Sequence, residues 1–166
     1  MTYRAPIADF RLLLDRVLGF DQVAATALFA DAAPETVEAI LTEAAKLCEN
    51  TLAPLNRAGD KTPARLENGV VRTSPGYSDG YKAITEGGWV GMSANPEYGG
   101  MGLPITLATC VNDMMGSACL ALQLNPLMTQ GQIEALEHHA SDEIRALYIP
   151  KLISGEWCGT MNLTEA

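Results

Sequence analysis

Residues 104–124 constrain the fold more than any other stretch. Pro104 opens a run in which Leu, Met, Ala and Cys recur on nearly every side of a helical wheel. A helix apolar over most of its circumference belongs in the middle of a bundle, not on its surface. The rest of the chain has the material for such a bundle. Hydrophobic residues make up 48% and aromatics only 6%, so the apolar content is mostly Ala, Leu, Ile and Val. Of these, Ala and Leu enter helices at little cost.

Several further helices are legible from spacing. Residues 7–18 carry Ile7, Phe10, Leu13, Leu14, Val17 and Leu18 on one helical face, with Gly19 as a stop. Asp21 reads as the N-cap of a short helix over 22–29. Pro34 opens the next helix, where its missing N–H is harmless. Val37, Ile40, Leu41, Ala44, Ala45 and Cys48 continue that stripe, and Pro54 is expected to bend or end it. Residues 76–86 form another helix, stopped by Gly87-Gly88. Pro126 is expected to start a helix ending near His139, and Ser141 to cap one that runs to Ile153. His138 and His139 then suit the negative end of a helix dipole better than a catalytic role.

Two stretches are not helical. Leu66-Glu67-Asn68-Gly69-Val70-Val71 predicts a small hairpin, because Asn-Gly supplies the two positive-φ residues of a tight turn. Residues 156–164, with Trp157, Cys158, Thr160 and Leu163, suit a strand. A lone strand is not stable by itself, so the chain is expected to end just inside a β-rich domain. The fold class is therefore all-α: a bundle of about six helices with a hairpin insertion and a terminal strand stub. The divisions are a helical extension over 1–33, the main helical domain over 34–155, and the start of a β domain over 156–166.

The formal charge is −9, from 20 acidic and 11 basic residues. A nucleic-acid binder needs a basic footprint, so this balance argues against one. No apolar run approaches the roughly 20 residues that cross a bilayer, and the first residues carry no signal core. Cys48, Cys110, Cys119 and Cys158 lack metal-type spacing. They read as buried, reduced thiols of a cytoplasmic protein.

Three blocks then fall into order. The first is Glu86-Gly87-Gly88-Trp89-Val90-Gly91-Met92, followed by Pro96-Glu97-Tyr98-Gly99-Gly100-Met101-Gly102-Leu103. The second is the apolar helix with Asn112-Asp113-Met114-Met115. The third runs from Tyr148-Ile149-Pro150-Lys151-Leu152 through Gly155-Glu156-Trp157 to Thr160-Met161-Asn162-Leu163-Thr164-Glu165. Over residues 34–166 this resembles the acyl-CoA dehydrogenase family, whose first domain is a helical bundle and whose second is β-rich. The extension and the Asn68-Gly69 hairpin are similar to the long subfamily that dehydrogenates 3-methylthiopropanoyl-CoA.

The resemblance implies FAD, an acyl-CoA substrate, a 2-enoyl-CoA product, an electron-transferring flavoprotein as acceptor and a homo-oligomer. It places the general-base glutamate in a later domain, so no catalytic residue is named, and neither Glu97 nor Glu134 takes that role. It implies flavin contacts at Met161, Leu163 and Thr164, and an acyl pocket lined by Asp113, Met114 and Met128, with Met115 a further candidate. The Tyr98-Gly99-Gly100 loop reads first as a tight turn before the long helix, and the alternative is backbone near the acyl tail. A chain without the base is expected to be inactive and to self-associate through exposed apolar faces. The readings from other classes are a stand-alone helical interaction module and an oxidase-like flavoprotein.

Overall fold

A computed structural model describes residues 3–161. It is mostly helical, with one two-stranded sheet among the described residues. The amino-terminal extension contains α1 (Ile7–Leu12), which widens into a π turn over Leu13–Val17, and α2 (Phe20–Ala24). Gly19 separates them at φ 60°, so it caps α2, and Asp21 lies inside the first turn instead of at the N-cap. The left-handed glycine starts the helix two residues earlier than a side-chain cap at Asp21 would. Phe10, Leu14 and Phe20 pin the extension to the core. Its edge is tied by Arg4 Nη1 and Ala5 N–H, which donate to the two oxygens of Glu49 at 2.8 and 3.0 Å.

Helix α3 (Pro34–Leu47) starts at Pro34 and buries Leu41, Ala44 and Ala45. Pro54 does not end it. A π turn over Cys48–Leu52 shifts the hydrogen bonding, with Ala53 N–H reaching Cys48 O. The chain continues as α4 (Ala53–Lys61), with Pro54 in its opening turn, where a missing N–H costs little. Strands β1 (Arg65–Glu67) and β2 (Val70–Arg72) pair antiparallel in the register Leu66↔Val71. Asn68 and Gly69 have φ values of 51° and 76°, as the Asn-Gly turn requires. Helix α5 (Tyr77–Glu86) follows.

The centre is α6 (Ile105–His139). A straight helix of that length would place Asn112 and Gln130 about 27 Å apart, yet their side chains bond at 2.8 Å. The helix is folded back on itself. The reversal is at Cys119, whose φ −157° and ψ 83° are not helical. Two helices were expected here with a break before Pro126, and the break lies earlier. Gly116, Ser117, Ala118, Cys119 and Ala121 concentrate small side chains around this point, so two backbones can come close here. We call residues 105–118 arm one and 120–139 arm two.

By length and composition α6 could cross a membrane, with a mean hydropathy of 1.4 over its most apolar window. Half of that window is buried inside this fold and the helix is bent. Helix α7 (Asp142–Ile153) begins where Ser141 Oγ accepts from Ile144 N–H, and it packs Ile149, Leu152 and Ile153 inward.

Residues 156–161 form no strand. Gly155 O accepts from Tyr81 at 3.3 Å, and Gly159 N–H donates to the buried Thr129 Oγ1 at 3.0 Å. The segment is therefore satisfied by helix side chains rather than by a neighbouring strand. Residues 162–164 of the expected strand lie outside the described residues.

Candidate functional site

The two arms of α6 have opposite patterns. Arm one buries Leu107, Ala108, Val111, Met114 and Met115, and exposes Thr109, Asp113 and Ser117. That is ordinary amphipathic packing. Arm two buries Gln123 and Thr129 with Leu122 and Ile133, while Leu120, Leu124 and Leu127 are 58%, 45% and 43% exposed. The three leucines stand at i, i+4 and i+7, so they form one stripe.

Between the arms lies an open cleft of about 550 Å³. It is lined by Ile105 and Thr109 of arm one and Leu127 and Glu134 of arm two, with the bonded pair Asn112 and Gln130 joining the arms in its wall and Phe29 of the extension also lining it. The loop over 89–103 forms the rim. It is held by Asn95 N–H, which donates to Glu137 Oε1 at 2.9 Å, and by Gly100, whose hydrogen faces Ala94 O where a Cβ would come within 2.0 Å. The Tyr98-Gly99-Gly100 stretch is thus a tight turn, with Gly99 at φ 95°.

Of the residues implied by the resemblance, Asp113 is exposed, Met114 is wholly buried and Met128 is half-buried. Asp113 and Met114 are adjacent in sequence and face opposite ways. Met115 is buried beside Met114 in the core. Met161 is 60% exposed, and Leu163 and Thr164 lie outside the described residues. The leucine stripe was not singled out from sequence, nor were Asn112, Gln123 and Gln130. The available signal was that these three are among five side-chain amides spread along a helix rich in apolar residues.

The nucleophilic side chains are quiet. Burial, then the nearby Glu49, pushes the Cys48 thiol up to about 12. Burial and then Asp113 raise Cys110. Thiols held in this way stay protonated and unreactive. Cys158 corrects the expectation of four buried cysteines. It is exposed, with Sγ 3.0 Å from the Tyr81 hydroxyl, because its segment lies flat over α5. Burial, then Cys48, Asp113 and Glu49, moves Tyr3 up to about 12. Among the described residues no group of three His, Cys, Asp or Glu could hold a metal.

Residues 34–156 match the family described as acyl-CoA dehydrogenase, N-terminal domain. The chain is similar to a 3-methylmercaptopropionyl-CoA dehydrogenase of Ruegeria pomeroyi, with 39% identity over 99% of this chain and 28% of that protein. It is also similar to a butyryl-CoA dehydrogenase of Syntrophomonas wolfei, with 27% identity over 79% of this chain and 22% of that protein. The chain thus spans about a quarter of the length of the curated relatives it matches. By the family match over most of its length and the helical fold that carries it, the chain belongs to the acyl-CoA dehydrogenase family.

Proposed function

We propose that the chain is the amino-terminal helical domain of a longer FAD-dependent enzyme that oxidises a short acyl-CoA to the 2-enoyl-CoA. The similarity over 99% of the chain to a 3-methylmercaptopropionyl-CoA dehydrogenase supports that thioester as the substrate. The observation that carries the reading is the leucine stripe of arm two. Leu120, Leu124 and Leu127 are solvent-facing on a helix whose inner side holds amides. Such a stripe suits an apolar chain laid along it. Met128 and Asp113, both accessible, complete the proposed lining, while Met114 supports it only through the core.

The described part of the implied flavin contacts is Met161 alone. Its exposed apolar side chain suits the face of a ring and cannot hold phosphates. FAD, when bound, supplies the acceptor for the substrate hydride. This chain's share is to wall the acyl tail and keep water from it. The general base belongs to a later domain. The proposal extends to an electron-transferring flavoprotein as acceptor, a homo-oligomeric full-length enzyme and a cytoplasmic location. The test is the full-length protein purified with its flavin and mixed anaerobically with 3-methylmercaptopropionyl-CoA or butyryl-CoA. Loss of flavin absorbance with the first at lower concentration than with the second is expected. No spectral change with any acyl-CoA would overturn the reading.

A further inference from the structure

Three side-chain amides join the arms of α6, and the direction of their hydrogen bonds is fixed. At one end is the backbone carbonyl of Trp89, which can only accept. Gln130 therefore turns its amino group to it, with Nε2 3.1 Å from the oxygen. That leaves Gln130 Oε1 to accept from Asn112 Nδ2 at 2.8 Å. Asn112 Oδ1 in turn accepts from Gln123 Nε2 at 2.9 Å. Each orientation follows from the one before, so the relay ends on an acceptor, Gln123 Oε1. Gln123 is 2% exposed, and no described residue donates to that oxygen. Turning Gln123 over would set its oxygen against Asn112 Oδ1, so the side chain cannot rescue itself.

We propose that Gln123 Oε1 is a built site for one ordered water at the bend of α6. The water donates one hydrogen to Oε1 and completes the relay that ties both arms to the Trp89 loop. Space exists beside the amide. A Cβ built on Gly116 would meet nothing closer than Gln123 Cγ and Leu120 Cδ1, each at 3.9 Å. The proposal takes its second partner from the break in the helical pattern at Cys119. A helix end leaves its last carbonyls without intrahelical donors, and one of these can take the second hydrogen. An amide chain aligned in one direction polarises along its length, so the water at its head strengthens the bond at its tail. The site is independent of the proposed enzyme activity. It braces the bend, and through Gln130 it holds the loop that rims the cleft.

The first experiment is magnetisation transfer from water to the Gln123 side-chain amide in the 15N-labelled protein. A transfer of the sign given by a long-lived bound water is expected at Gln123 in the unaltered chain. It should disappear in Gly116→Ala, whose methyl group occupies the adjacent space. A folded chain with no such transfer at Gln123 would overturn the site. A second experiment tests the direction of the relay. In Asn112→Asp both oxygens accept, so Gln130 loses its donor and must release Trp89. Amides of the 89–103 loop should then exchange about tenfold faster, while α3 is unchanged. Unchanged exchange in that loop would show that the relay does not run as described.

Discussion

Arm one and arm two of α6 belong to one stretch of sequence and follow opposite rules. Arm one puts Leu107, Met114 and Met115 inside and, beyond the exposed Ile105 at its start, polar groups outside. Arm two puts Gln123 and Thr129 inside and leaves Leu120, Leu124 and Leu127 bare. The difference shows that apolar content alone does not tell core from site. Arm one uses its apolar side chains to hold the bundle together. Arm two holds itself with directed hydrogen bonds and keeps its apolar side chains free for something else.

Breaking arm one should cost most. Met114 is wholly buried, so Met114→Ala removes contacts and leaves a cavity, at about 2–5 kcal/mol. Thermal or urea unfolding of the variant measures this, and a loss under 1 kcal/mol, well below the ~2–5 expected for a filled core position, would place Met114 outside the core. Arm two's buried polar contacts come next. Thr129→Val keeps the shape and removes the acceptor of Gly159 N–H. The expected cost is about 1–3 kcal/mol, with faster exchange of the Gly159 amide. Thr129→Ser should restore the protection. A Val variant as protected as the parent would show that the bond does not hold the segment.

The tie between the extension and Glu49 gives a smaller, pH-dependent effect. The Ala5 N–H, then Arg4, hold the Glu49 carboxyl below its ordinary 4.5, against the opposing effect of desolvation. A carboxylate depressed in the folded state stabilises fully above the unfolded value and loses that contribution as pH falls through the folded one. The protection of residues 3–11 against amide exchange, taken relative to the intrinsic rate at each pH, should therefore fall as pH drops below about 4.5. Glu49→Gln should be open at neutral pH already, with a flat profile. A profile that keeps its slope in Glu49→Gln would assign the effect to another carboxylate.

Much of the fold is legible in the sequence because local chemistry decides it. Asn68-Gly69 can make the hairpin turn, Pro34 can start a helix, and Ser141 can cap one, wherever they stand. The reversal at Cys119 is different. Pro126 is the louder local signal, yet the break falls at small residues where two backbones can meet. Proline only removes one donor, whereas close approach of the arms depends on contacts between residues 18 apart. The relay was hidden for the same reason. Asn112, Gln123 and Gln130 look like scattered polar residues until the helix folds back. Cys158 was misread because thiols are usually buried, and its exposure follows from where the chain leaves α7. The family blocks located the chain among its relatives, but they did not locate the leucine stripe.

The central claim is that the leucines of arm two contribute far less to this domain's own stability than Met114 does and serve a surface. The most direct measurement is the unfolding free energy of the double variant Leu120→Ser, Leu124→Ser, paired with binding of an apolar fluorescent dye and with size-exclusion chromatography. The predicted result is a loss of only about 1–2 kcal/mol, from helix propensity and half-burial, with weaker dye binding and less self-association. A loss of several kcal/mol, as for Met114→Ala, would contradict the claim and return arm two to the core.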